Sequence, residues 1–280
     1  TLMRNPADTV MRIPDDMDFV TAAGFPIIYV TAYYALVHLA RMQAGESILI
    51  HAAAGGVGQA AIQIAQRLGA EVYVTVGTGE KKTHIMELFG IPAERIFSSR
   101  DVSFEAGVKR VTAGRGVDVV LNSLAGESLR ASWRCVAPFG RFVELGKRDI
   151  EAGGRLDMAP FVRNVVFASV DITAMLRLNR RLGSAMFREA MEMGMQIRDE
   201  LAEAGWGEGG ASPVRTWGFG EVGEAFRHMQ AGRHIGKIVV VPGEADVVQV
   251  CPRSSFAELM MVANANSYEQ VMPQPLKGAK

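Results

Sequence analysis

The run Ile48-Leu49-Ile50-His51-Ala52-Ala53-Ala54-Gly55-Gly56-Val57-Gly58-Gln59-Ala60-Ala61 takes a short apolar strand through a glycine turn into an apolar-periodic helix. Read from Gly56 it fits G-x-G-x-x-A, and read from Ala52 it fits A-x-x-G-x-x-G. Gly55, Gly56, Val57 and Gly58 therefore stand where a main chain approaches a pyrophosphate. Missing Cβ atoms permit that approach. The helix continuing through Ile62 to Leu68 points its N-terminal amides and the positive end of its dipole at the turn. A phosphate-bearing cofactor is the simplest occupant; a tight turn whose glycines serve packing alone is the competing reading.

The following strand, Glu71 to Val76, narrows the choice. About twenty residues past such a turn, an NAD-binding chain carries Asp or Glu to bond the ribose 2′-hydroxyl. Here that place is Gly77, followed by Thr78, Lys81 and Lys82, a hydroxyl and cations suited to a 2′-phosphate. NADPH is the expected cofactor. Glu80 lies among these residues and opposes the positive field, and lysines that open a helix can equally be solvated.

From Ser47 onward short apolar runs alternate with helical stretches, the pattern of a parallel sheet with crossover helices. The spacing predicts strands at Ser47 to His51, Glu71 to Val76, Arg95 to Ser98, Val117 to Asn122, Arg141 to Leu145 and Val165 to Val170. Six strands is the doubly wound dinucleotide count, and the expected fold is an α/β, six-stranded parallel Rossmann sheet. Ligand residues then belong at strand carboxyl ends, which include Asn122-Ser123-Leu124 and Leu145-Gly146-Lys147. A helix is expected from about Asn179 to Ala204, its methionines read as packing, then a glycine-rich loop at 205–210. A strand at Val214 to Phe219, a helix at Glu221 to Gln230 and a strand at Gly236 to Val241 follow. The domain reading is 1–24 as the end of a substrate-binding domain, 25–172 as the nucleotide-binding domain and 173–212 as a helical segment and loop. Residues 213–242 read as return strands of the substrate domain, and 243–280 as a linker-like tail.

With 30 acidic and 30 basic residues and no basic run, the chain offers no electrostatic footprint for nucleic acid. The apolar stretch Phe25 to Ala40 contains Thr31, tyrosines and His38 and reads as too short to span a bilayer, so no membrane anchor is expected. The five histidines are scattered, and Cys135 and Cys251 lack C-x-x-C spacing, so no metal site is expected and a reducing, cytoplasmic setting is. His51 ends the first strand and is read as satisfied by backbone at least as readily as touching a cofactor.

Taken together these residues resemble the enoyl reductase domain of fungal-type highly reducing polyketide synthases. That family lies within the zinc-free medium-chain dehydrogenase/reductase superfamily, which also holds quinone reductases and the animal fatty acid synthase reductase. The resemblance covers about Pro14 to Pro242 and rests on the glycine turn, on Val30 to Leu36 and on Ile96 to Asp101. It rests further on Gly116 to Glu127, Gly140 to Ile150 and His234 to Val239. It implies NADPH-dependent reduction of the α,β double bond of an enoyl thioester on an acyl carrier protein, in company with other synthase domains. By the same resemblance Lys147 is the candidate proton donor with Asp171 beside it, and many fungal relatives lack that lysine. Thr31, Asn122 and Ser123 fall near the nicotinamide, and Thr78 with Lys81, and Arg100 more weakly, at the 2′-phosphate. Leu145 and Gly146 line the adjoining strand end. The family favours homodimers through the sheet edge. A GroES-like, β-rich substrate barrel normally precedes the sheet, and only its remnants are expected here. Thr1, not an initiator methionine, suits a fragment. Two other readings stay open: a quinone oxidoreductase of the same superfamily, and a non-catalytic NADPH-binding remnant.

Overall fold

The computed structural model describes residues 7–203 and 212–243. The expected loop at 205–210, Cys251 and the tail beyond Gly243 lie outside the described residues. Six strands form one sheet: β1 (Ser47–Ile50), β2 (Glu71–Val76), β3 (Ile96–Ser98), β4 (Val117–Asn122), β5 (Val136–Glu144) and β6 (Val166–Ser169). Every neighbouring pair is parallel, in the order β3-β2-β1-β4-β5-β6. The strand order reverses between β1 and β4, and in such sheets the crevice beyond the carboxyl ends at that point receives the ligand. β1 is buried along its whole length, as a strand covered on both faces must be.

The crossovers and flanks are helical: α1 (Phe19–Gly24), α2 (Pro26–Tyr33, continued by a π-helical turn to Leu39), α3 (Gly56–Arg67), α4 (Gly79–Phe89), α5 (Ser103–Val111), α6 (Glu127–Arg134) and α7 (Arg148–Glu151). Two more, α8 (Ile172–Leu178) and α9 (Arg180–Glu203), precede β7 (Val214–Gly218), α10 (Val222–Gln230) and β8 (Lys237–Val241). β7 and β8 pair in parallel as a separate two-stranded sheet.

The side chains of β1 alternate between two cores. Ile48 and Ile50 join α2, α3 and α9 on one face, while Leu49 joins Phe104, Trp133 and Phe142 on the other. The long helix expected from about Asn179 to Ala204 is α9, and the short α8 that precedes it was not expected; the Asp171 carboxylate starts α8 by capping Ala174 N–H at 3.0 Å. This short helix ends at Asn179, whose backbone leaves helical geometry (φ −137°, ψ 72°). β5 also starts earlier than expected, at Val136. Its register on β4 shifts between Val117 and Val119, so Pro138 and Phe139 bulge outward, and Phe139 takes a φ of 61°. A Pro-Phe-Gly sequence reads as a turn and hides the strand.

The apolar segment near the start needs a correction. Phe19–Leu39 is one helical run of 21 residues with mean hydropathy 1.6, long and apolar enough to cross a membrane, yet 56% of its most apolar window is buried inside the protein. Its hydrophobicity on all sides follows from being covered by α3 and α9: Tyr29 OH donates to Gln63 Oε1 (2.5 Å), and Gly194 of α9 lies against Phe25 and Tyr29.

His51 is buried, and side chains rather than backbone satisfy it. Ser132 Oγ donates to Ser128 O (2.7 Å), so it accepts from His51 Nε2 (2.8 Å), leaving Nδ1 to accept from the Thr75 hydroxyl (2.9 Å). Burial pushes the imidazole pKa down to about 3. His51→Phe leaves two buried hydroxyls without this partner and is expected to cost about 1–3 kcal/mol at about pH 8. The gap narrows as pH falls below 6.5, where an unfolded histidine takes up a proton that the folded one refuses until about pH 3. Wild type loses stability through that window and the variant lacks the slope, so urea melts of both at about pH 8 and about pH 5 check the expectation.

Candidate functional site

Gly55 precedes α3 in extended conformation (φ −80°, ψ 163°), and its C=O accepts from Gln59 N at 2.9 Å. A Cβ on Gly58 would come within 2.6 Å of Ala52 O and Ala53 Cα, so this glycine lets the helix sit directly on the strand's own backbone. A Cβ on Gly56 would meet Ile28 Cγ2 at 3.0 Å. Packing thus accounts for Gly58, the position that close helix-strand contact requires in dinucleotide turns, while Val57 is half-buried at the first turn of α3. The return segment crosses the same turn. Gly236 N–H donates to Ala54 O (2.8 Å), and the Lys237 side chain runs past the Cβ positions of Gly24 and Gly56 at 3.5 and 3.6 Å.

At the end of β2 the structure brings Gly77, Thr78, Lys81 and Arg100 together. Thr78 caps α4, its hydroxyl accepting from Lys81 N at 3.3 Å. Arg100 Nε donates to Gly77 O (2.9 Å), and its guanidinium occupies the space a Cβ on Gly77 would need. Lys81 Nζ donates to Gly232 O (2.8 Å) in the return segment. Burial pushes the Lys81 ammonium below its ordinary pKa, and the nearby Arg100 charge adds to this while Glu80 opposes it. His234 and Lys237, quoted in the sequence only as part of a run, join this group. Both are lowered chiefly by burial, His234 also by Lys81, and His234 Nδ1 is buried with no hydrogen-bond partner among the described residues.

The ends of β4 and β5 form the other half. Asn122 is buried, and its Nδ2 donates to Leu124 O (2.8 Å) and to Glu144 Oε2 (2.6 Å); its Oδ1 is buried with no partner among the described residues. Gly146 N–H donates to Glu144 Oε1 (2.5 Å), and Leu145 N–H to Asn122 O (2.8 Å). Lys147 Nζ lies 2.7 Å from Asp171 Oδ2. Burial raises the Asp171 carboxyl pKa, but the bonds from Lys147 and from Ala174 N–H outweigh it, and the net shift is downward. Thr31 stands apart, its hydroxyl donating to Ile27 O (2.7 Å) inside its own helix, and Ser123 is exposed. Glu144 was not singled out in the sequence. An acid at the end of the apolar run Phe142-Val143 was the available signal. Burial, helped by the Asp149 charge, pushes its pKa up to about 7 against the bonds from Asn122 and Gly146.

A parallel sheet of this strand order, carrying a glycine turn at its switch point and a cationic set one strand away, defines a Rossmann-type nucleotide-binding domain. Comparison with known proteins agrees. A family model described as "Zinc-binding dehydrogenase" matches residues 56–195. A highly reducing polyketide synthase of Penicillium oxalicum is 49% identical over 250 residues, which is 89% of this chain and 10% of that protein. The crystal structure of CurK enoyl reductase is 36% identical, with a TM-score of 0.71, over 85% of this chain and 67% of that one. The nucleotide-binding subdomain of the enoylreductase domain of PpsC from Mycobacterium tuberculosis is 38% identical, with a TM-score of 0.57, over 60% of this chain and 92% of that one. The chain belongs to the medium-chain dehydrogenase/reductase superfamily of oxidoreductases, in the branch formed by polyketide synthase enoyl reductase domains. Membership implies a nicotinamide cofactor. The zinc in the family description does not fit here, since the described residues hold no group of three or more His, Cys, Asp or Glu side chains able to bind a metal.

Asp171 has two separable tasks, the cap on α8 and the partner of Lys147. Asp171→Ala removes both and is expected to lower stability by about 1 kcal/mol, whereas Asp171→Asn keeps a capping oxygen and costs less than half of that. Thermal melts of the two variants check the order.

Proposed function

We propose that this chain is the NADPH-binding part of an enoyl reductase that saturates the α,β double bond of an enoyl thioester held on an acyl carrier protein, alongside other polyketide synthase domains. The observation that carries the reading is the Lys81–Arg100 group at the end of β2, where an NAD-selective site needs a carboxylate. Like charges held close and partly desolvated favour a bound anion, which a 2′-phosphate supplies. In this reading the amides at residues 55–58 hold the diphosphate, Thr78, Lys81 and Arg100 hold the 2′-phosphate, and Asn122, Ser123, Leu145, Gly146 and Thr31 border the nicotinamide end. NADPH, when bound, supplies a hydride. The chain's own contribution on the acid side is Lys147, whose ammonium carries a proton at Nζ and is steered by Asp171. Residues 7–24 go with 213–242 as remnants of the substrate domain, a grouping supported by Gly24 lying against Lys237 and Val214.

The outer edge of β6 supports a homodimer. β6 ends the sheet order, with β5 on one side and no strand on the other among the described residues, and Val162 before it and Val166 within it are 85% and 53% exposed, an apolar margin on an open strand edge. Light scattering is expected to give twice the chain mass, and Val166→Lys to return the single-chain mass.

Calorimetric titration tests the cofactor reading. NADPH is expected to bind and Lys81→Ala to weaken it about tenfold while changing NADH binding little, as loss of one charge-assisted contact predicts. The absence of heat with NADPH in folded wild type overturns the reading. Reduction of a crotonyl thioester by this chain alone is expected to be slow, because the chain holds only part of a substrate domain, and to exceed quinone reduction. The opposite order favours a quinone oxidoreductase, and binding without any turnover a non-catalytic remnant.

A further inference from the structure

Glu144 is 1% exposed, a carboxyl group inside the protein at the carboxyl end of β5. Both its oxygens are used, one at the end of β4 and one in the loop after β5: Oε2 accepts from Asn122 Nδ2 (2.6 Å) and Oε1 from Gly146 N–H (2.5 Å). The fit leaves no space, since a Cβ on Gly146 would come within 2.7 Å of Oε1. The backbone of the same residue reaches a third segment, its C=O accepting from Val170 N–H (2.9 Å), one residue before Asp171. One residue thus touches the end of β4, the loop that carries Lys147 and the strand end that carries its partner.

We propose that Glu144 is a positioning residue, whose carboxylate clamps residues 122–124 to residues 145–147 and so sets the shape of the site for the dinucleotide. The inference rests on the NADPH reading above. Only the ionised form can do this as drawn, because it must accept from two N–H groups, and Asn122 spends its other Nδ2 proton on Leu124 O. A neutral group at 144 with its own hydrogen, either protonated Glu or Gln, needs an acceptor. Asn122 then has to turn its unpartnered Oδ1 toward that hydrogen, which takes the donor away from Leu124 O and loosens the loop. The surrounding groups are consistent with a proton equilibrium near neutrality. Asp149 is the charge that acts on Glu144, its own Oδ2 accepting from Gly126 N–H (2.9 Å). The Lys147–Asp171 pair stands just beyond, and the strand neighbours are Asn122 on β4 and Ser169 on β6, neither of which titrates.

The test is NADPH affinity of the full chain, read by the fluorescence of the bound dihydronicotinamide between about pH 6 and about pH 8.5. Wild type is expected to bind several-fold more weakly at the acid end. E144Q is expected to bind about tenfold more weakly than wild type at the alkaline end and to show no pH dependence. E144Q binding as wild type does, or keeping the wild-type pH dependence, overturns the proposal. Should E144Q fail to fold, the wild-type Gly146 amide and Asn122 side-chain amide resonances decide. Both moving with the affinity as pH passes through 7 supports the clamp, and affinity changing while they stay still overturns it. Wild type that binds no NADPH at any pH is a different result, which removes the cofactor reading and this inference with it.

Discussion

The contact between α3 and the backbone of Ala52 and Ala53 holds the architecture in place. A helix that starts one residue after a strand turn can lie on that strand only if its third residue has no Cβ, and Gly58 supplies this. Once α3 is seated, its buried face receives α2 through Tyr29 and Gln63, and α2 in turn receives α9 at Gly194. The return segment is set by the same turn, because Gly236 bonds to Ala54 O and needs its own positive φ of 70° to do so. The glycine turn and the segment that carries β7 and β8 therefore share one short stretch of backbone.

Charge is distributed unequally along the carboxyl edge of the sheet. The β2 end gathers cations whose mutual repulsion and burial favour an anion, while the β5 end buries a carboxylate. The two arrangements cost stability in opposite protonation states. Glu144 has a folded pKa above its unfolded value, so the folded protein holds its proton more tightly, and the stability this contributes is lost as pH rises from 4.5 through about 7. A carboxylate kept at that cost, next to the buried apolar pair Phe142 and Val143, is the kind of local conflict that functional sites retain. Asp171 shows the reverse case, with hydrogen bonds that favour its charge despite burial.

Much of the sheet was readable because buried parallel strands are continuous apolar runs with turns between them, and β2 and β4 coincide with their expected limits. The misreadings have separate causes. The Pro138-Phe139-Gly140 bulge imitates a turn inside β5, and α8, only seven residues long, is too short to show a periodicity of its own. The apolar helix reads as shorter than it is, Phe25 to Ala40, because α1 adds Phe19–Gly24 at its start, and a helix buried on several sides obeys the same composition rule as one in lipid. At the site, the adjacency of Gly77, Thr78 and Lys81 follows from chain order alone. The arrival of Arg100, His234 and Lys237 does not, since they come from segments far from residues 77–81 in the chain or across a strand crossover.

The amino-acid string settled the glycine turn, the order of strands and helices along the chain and the glycine in place of an acid at position 77, all of which depend on neighbours within a few residues. Folding in three dimensions settled the rest. It put the Gly232 carbonyl on Lys81, gave His51 its two hydroxyl partners, joined Lys147 to Asp171 and closed Glu144 between the end of β4 and the loop after β5. The reason is physical: whether a polar side chain is solvated, paired or stranded depends on which distant segment excludes water from it, and hydrophobic periodicity records that a residue is buried but not what it is buried against.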